Sequence, residues 1–210
     1  MEIASTVLLA MGGFILGAVP FSVIIGHVGL GKEIRDYGDG NPGAVNVFRA
    51  GSVKAGLLAV LLDITKGVPF VFLAHAWLGL PDAAVVIVGM SAILGHAFSP
   101  FLRGHGGKAV SITFGVLIGL PQYEALFAFT ALMIIGCLFV ENDSWIPVLG
   151  ATGTAAYLAV TDGPTWVTLL MVGILTLYIF KHFSNLRSLP RLHGRLIRWL
   201  ETKLRGSTPV

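Results

Sequence analysis

Apolar residues run through this chain in long unbroken blocks. The first covers about 3–30, and others follow at about 53–79, 83–101, 109–120, 123–140, 145–160 and 164–180. A helix crossing a bilayer needs about 20 apolar residues, and these blocks are continuous rather than alternating. The pattern therefore predicts an all-α, polytopic membrane protein with about seven transmembrane helices. The fourth and sixth blocks are short for a straight span and are expected to tilt or to extend into their polar flanks. Gly13-x-x-x-Gly17 in the first block is a small-residue helix-packing pattern. The second block is interrupted by Asp63 and Lys66, three residues apart. Charges at that depth are costly unless buried and paired. They form either a functional pair, a structural ion pair, or the mark of a bend near Lys66-Gly67.

The connections alternate in charge. Lys32, Arg35, Arg49 and Lys54 flank or occupy the first loop, and Arg103 and Lys108 the third. Lys181, Arg187, Arg191, Arg195, Arg198, Lys203 and Arg205 follow the last block. Together these are thirteen of the 14 Lys and Arg residues. The loops near 80, 121 and 162 carry none, and neither does the N-terminus. Positive-inside counting puts the N-terminus outside and the C-terminus in the cytoplasm, which seven spans satisfy. The fifth loop, "ENDS", falls inside by parity but is acidic and lends no support.

Composition agrees. Only 12% of the 210 residues are charged, against about 25% in soluble domains, and mean hydropathy is +0.83. The length suits one domain, 1–210, with 187–210 a basic amphipathic segment lying on anionic lipid. Nucleic acid is a poor partner for such a chain. Cys137 is the only cysteine, so no disulfide framework exists, and within its apolar run it is expected to be a small packing residue. The first block is read as a retained span, not a cleaved signal.

Polar residues collect in three stretches, "IRDYGDGNPGAVNVFR" (34–49), "GHAFSPFLRGHGGKAV" (95–110) and "KHFSNLRSL" (181–189), all on the cytoplasmic side by parity. Glycines allow backbone N–H groups to approach an anion. Asn41 and Asn46 can donate to phosphate or hydroxyl oxygens, and Arg49 can bind phosphate bidentately. Gly106 and Gly107 could cradle a second phosphate beside the compact charge of Lys108. This is not a Walker A loop: Leu102 stands where Gly is required, and Ala109 follows the lysine. His182 and Asn185, three apart, would share a helix face. His96 is a second base candidate or an ordinary interfacial histidine. The plainer reading makes the glycines and asparagines turn formers and the basic residues topology signals. His27, His75, His105 and His193 look incidental. The histidines are scattered, so no metal site is expected, and no cofactor.

Taken together, these stretches resemble the bacterial acyl-phosphate:glycerol-3-phosphate acyltransferases of the PlsY type. Their first motif, close to G-S-G-N-x-G-A-T-N-x-x-R, is matched by "GDGNPGAVNVFR" at 38–49. Their D-x-x-K-G element is "DITKG" at 63–67; the second motif, from G-H to G-G-K-G-V-A-T, runs from "GH" at 95–96 to "GGKAVSI" at 106–112. Their H-x-x-N-I is "HFSNL" at 182–186. The differences are Asp39 for Ser, Val45 for Thr, Ala109 for Gly, Gly104-His105 for Phe-Lys, and Ser188 for Arg; the following G-x-E is absent. A carboxylate at 39 would repel phosphate unless Lys or Arg neutralises it.

The resemblance implies seven membrane helices and transfer of a fatty acyl group from acyl phosphate to glycerol 3-phosphate, giving lysophosphatidic acid and phosphate. It implies catalytic roles for His182, Asn185, Lys108 and Arg49. Substrate binding would fall to Asp39, Gly40, Asn41, Gly43, Asn46, Lys66, His96, Gly106 and Gly107. The protein would be a monomer in the bacterial inner membrane, surrounded by lipid, with its site at the cytoplasmic face. The H-x-x-x-x-D pair of acyl-CoA-dependent glycerolipid acyltransferases is missing. Alternatives are a diverged member using another polyol phosphate, a non-catalytic lipid- or phosphate-binding protein, and a transporter built around Asp63 and Lys66.

Overall fold

The computed structural model describes residues 2–192; His193 and the rest of the expected basic tail lie outside them. Among the described residues every regular element is helical, apart from an isolated antiparallel bridge between Val140 and Leu192. The first apolar block forms two helices rather than one, α1 (Glu2–Ala18) and α2 (Phe21–Leu30). The break falls at Val19-Pro20, where proline lacks an N–H and its ring crowds the preceding turn. The polar connection that follows contains a short helix, α3 (Ala44–Arg49).

The second block bends, as one reading of Asp63 and Lys66 required. Helix α4 (Val53–Thr65) stops, α5 (Pro69–Phe72) restarts, and the chain widens into a π-turn over Leu73–Trp77. Then come α6 (Asp82–Ala97), α7 (Val110–Gly119), α8 (Tyr123–Phe139), α9 (Trp145–Val160) and α10 (Thr165–His182). Four segments are long and apolar enough to cross a membrane by length and composition: Glu2–Leu30, Val53–Trp77, Asp82–Leu102 and Thr165–His182. Helices α7, α8 and α9 are shorter apolar helices.

Close packing uses the small residues. Helix α1 lies along α6, where a Cβ on Gly17 would run into the Ala92 carbonyl and one on Gly95 into that of Phe14. Backbones approach this closely because the residue facing the partner's carbonyl is a glycine, with no Cβ in the way. Val85, Val88, Ile93, Ile112, Val116, Phe129, Leu170, Met171 and Ile174 form the main core between α6, α7, α8 and α10. A second cluster of Val23, Ile34, Ala44, Val47 and Ala59 fastens the first polar loop to α2 and α4. That loop is therefore a folded part of the molecule.

The outside is apolar too. Ile3, Leu8, Leu57, Phe127, Val160 and Leu169 are largely exposed, an arrangement suited to lipid. The hydroxyls of Thr113, Thr130, Thr152, Thr154 and Thr176 each donate to the carbonyl four residues earlier, which satisfies these hydroxyls within their own helices.

Candidate active site

The polar stretches meet at one end of the helix bundle. Lys108 of the second stretch reaches Asp39 of the first, Nζ to Oδ2, at 2.7 Å. The Lys181 ammonium of the third donates to the carbonyls of Ala97 and Gly106 at 2.8 and 3.0 Å. The acidic fifth loop joins them: Arg49 Nη2 lies 3.7 Å from Asp143, and Asn185 donates to Ser144 at 3.2 Å. At the basic end its Asp143 faces the charge of Arg49.

Asp39 is the hub of the first motif. Its Oδ1 accepts from the Asn41 N–H at 3.2 Å and from the Asn46 side-chain amide at 3.0 Å. The Arg49 guanidinium stands 3.9 Å from the same oxygen and donates to Asn46 Oδ1 at 3.2 Å. Gly38 makes this possible. It turns at φ 60°, and a Cβ there would strike both the Arg49 guanidinium and the Asn46 amide. Burial alone would raise the Asp39 pKa, but Lys108, the Asn41 N–H and Asn46 outweigh it and hold it at about 2. The neutralisation that the sequence demanded of Lys or Arg is present.

Glycines of the second motif are not arranged as a phosphate cradle. The Gly107 N–H donates to the His96 carbonyl at 3.0 Å, and a Cβ on Gly107 would collide with the His96 ring. A Cβ on Gly106 would collide with the His96 carbonyl. These glycines let the loop press against His96 and so set where Lys108 begins. Gly40, at φ 72°, turns the first loop, and its N–H donates to Tyr37. None of Gly40, Gly106 and Gly107 lines the cavity described below.

Lys66 does not reach that cavity either. It is buried, 2.7 Å from Asp63 Oδ1, and its Nζ donates to the Val19 carbonyl at 2.7 Å. It thus serves the carbonyl next to the α1–α2 break. Asp63 also accepts from the Ser22 hydroxyl at 3.0 Å and lies 3.9 Å from His96 Nδ1. Asp63 and His96 do line the cavity. The pair within the second block is both an ion pair and the marker of a bend.

Asn185 departs from expectation for a related reason. Helix α10 ends at His182, and Asn185 opens a separate 3₁₀ turn, so the three-residue spacing no longer places them on one face. Asn185 gives its amide to Ser144 instead. His182 is buried, with both ring nitrogens lacking a hydrogen-bond partner, and it lines the cavity. Its ring stands edge-on to Tyr178, whose hydroxyl donates to Thr113 at 2.8 Å.

The cavity holds about 340 Å³. Its polar part is made by Asp39, Asn41, Gly43, Asn46, Arg49, Asp63, His96, Lys108, Asp143 and His182. Val45, Val60, Val110, Met133, Cys137, Ile146 and Pro147 supply an apolar part. Cys137 is exposed and faces this space rather than packing in a core. Sequence reasoning missed Asp143, Met133 and Ile146. Only the parity of the fifth loop pointed toward Asp143, and α8 offered no polar signal. No group of three His, Cys, Asp or Glu side chains gathers to hold a metal among the described residues.

Comparison with known proteins identifies the lineage. The family model described as glycerol-3-phosphate acyltransferase matches residues 7–191. The chain belongs to this family. A glycerol-3-phosphate acyltransferase of Neisseria meningitidis serogroup C (strain 053442) is 37% identical over 201 residues, covering 92% of this chain and 94% of that protein. One from Herminiimonas arsenicoxydans is 32% identical over 190 residues, covering 89% and 92%. Among solved structures, the acyltransferase resembles the crystal structure of PlsY (YgiH), described as an integral membrane glycerol 3-phosphate acyltransferase, in its glycerol 3-phosphate form. The TM-score is 0.79 at 28% identity, over 93% of this chain and 98% of that one. The lysophosphatidic acid form of PlsY matches with a TM-score of 0.76 at 28% identity, over 87% and 90%.

Proposed function

We propose that this acyltransferase moves a fatty acyl group from acyl phosphate to glycerol 3-phosphate, releasing lysophosphatidic acid and phosphate. The observation that carries the reading is one cavity, built from stretches far apart in sequence, that joins Arg49 and Lys108 to an apolar wall. A substrate with an anionic head and an acyl tail matches both parts. Acyl phosphate is a mixed anhydride with a good leaving group, so catalysis consists mainly of positioning and of answering negative charge. The acceptor hydroxyl oxygen attacks the acyl carbonyl, and the carbonyl–phosphate C–O bond breaks as phosphate departs. Arg49 and Lys108 hold phosphate charge. His182, with unpartnered ring nitrogens, takes the hydroxyl proton. Gly106, Gly107 and Lys66 act by positioning, and Asn185 steadies the fifth loop.

The finer reading is a monomer with seven spans in the bacterial inner membrane, its N-terminus outside and its cavity at the cytoplasmic face. The donor is tested with purified protein, glycerol 3-phosphate, and either palmitoyl phosphate or palmitoyl-CoA. Lysophosphatidic acid should form with palmitoyl phosphate alone. Formation with palmitoyl-CoA alone would replace the donor.

A further inference from the structure

Four groups expected to bind phosphate all face a single side chain of the protein. Lys108 Nζ is 2.7 Å from Asp39 Oδ2; the Asn41 N–H, the Asn46 amide and the Arg49 guanidinium lie 3.2, 3.0 and 3.9 Å from Oδ1. A carboxylate with two oxygens among cations and amide donors occupies the setting in which a phosphate would sit. We infer that Asp39 is a resident anion that competes with substrate and product phosphate for Lys108 and Arg49, and thereby determines how tightly this acyltransferase holds phosphate.

Three observations support a displaceable competitor over a fixed strut. The Asp39 side chain is 38% exposed and opens onto the cavity, so an entering anion meets it. Its partners come from two separate segments, the first loop and Lys108, and the Lys108 side chain, 23% exposed, carries its ammonium on a flexible stem that can turn to a new anion at the cavity. The carboxyl is ionised throughout the neutral range, so the competition is between charges. A phosphate arriving beside Asp39 meets a like charge and must draw Lys108 away from it. The wild-type site should therefore bind inorganic phosphate weakly and release it readily after transfer.

The inference rests on the transfer reading for its meaning but is tested without turnover. Inorganic phosphate is titrated calorimetrically into full-length detergent-purified wild type, Asp39→Asn and Asp39→Ser, with Asp39→Asn/Lys108→Ala alongside. Asn keeps the shape of the carboxylate and Ser removes it, so loss of folding in one leaves the other informative. Both neutral variants should bind phosphate about tenfold to a hundredfold tighter than wild type, the range of one charge-assisted contact. The added Lys108→Ala change should erase that gain. Equal or weaker binding in both neutral variants would overturn the inference and make Asp39 an organiser of the donors. Absence of phosphate binding in every protein would overturn it as well, while acceptor-dependent product formation judges the transfer reading separately.

Discussion

Arg49 and Lys108 supply the positive charge that lines the cavity, each held by a carboxylate of its own protein. Under the proposed mechanism, removing either would leave developing negative charge unanswered. Purified Arg49→Ala and Lys108→Ala should each lose about a hundredfold or more in kcat, the scale for one stabilising donor, with elution and thermal unfolding close to wild type. Near wild-type turnover in both would remove them from the mechanism. Asp39 makes a prediction about acid. Its carboxyl sits at about 2 in the folded protein against an ordinary value of 3.8. A lowered pKa stabilises the fold above the unfolded value, and the contribution fades as pH falls from about 4 to 2. The difference in thermal stability between wild type and Asp39→Asn should be flat from pH 5 to 8 and shrink only in that acid window. A difference that changes steadily across neutral pH would show that another group is responsible. What the sequence made legible is location: Arg49, Lys108, Asn46, Asp39, His96 and His182 all line the cavity. Gly43 lines the cavity while Gly40, Gly106 and Gly107 do not, a distinction the sequence hides because a glycine in a motif looks the same whether it serves a ligand or a close neighbour such as the His96 ring.

Between elements, the decisive contacts are those that repair breaks. Pro20 splits the first block, and Lys66 of the second donates to the neighbouring Val19 carbonyl while neutralising Asp63. Lys66→Met would leave the buried Asp63 carboxylate without its cation, although Ser22 still donates to it and the Phe21 N–H still donates to the Val19 carbonyl, a loss of about 3–5 kcal/mol for a broken buried pair. Thermal unfolding in detergent should fall sharply, and the double change Asp63→Asn/Lys66→Met should recover part of it. A single variant as stable as wild type would mean that the pair contributes nothing. Helix existence was readable because each apolar block is continuous. The break at Pro20 was not inferred, since apolar residues continue on both sides. Asn185 was placed beside His182 on the assumption that α10 continued, and the helix stops at His182.

On the scale of the whole molecule, the three polar stretches and the acidic fifth loop share one end, an arrangement compatible with the proposed seven spans. Charge counting predicts a shared side for the basic loops, and Asp143 of the acidic one lies 3.7 Å from Arg49. Single cysteines in a Cys137-free background test the orientation. Labels confined to the outside of intact cells should reach positions near 80 and 162 and spare those at 36, 104 and 142; the reverse pattern would invert the topology. The account as a whole claims that acyl transfer to an acceptor takes place in this cavity. Phosphate release from palmitoyl phosphate by wild type and Lys108→Ala, with and without glycerol 3-phosphate, tests it most directly. Wild type should release phosphate only with the acceptor, one equivalent for each lysophosphatidic acid formed, and Lys108→Ala should release almost none. Release without acceptor, or equal release by both proteins, would contradict it.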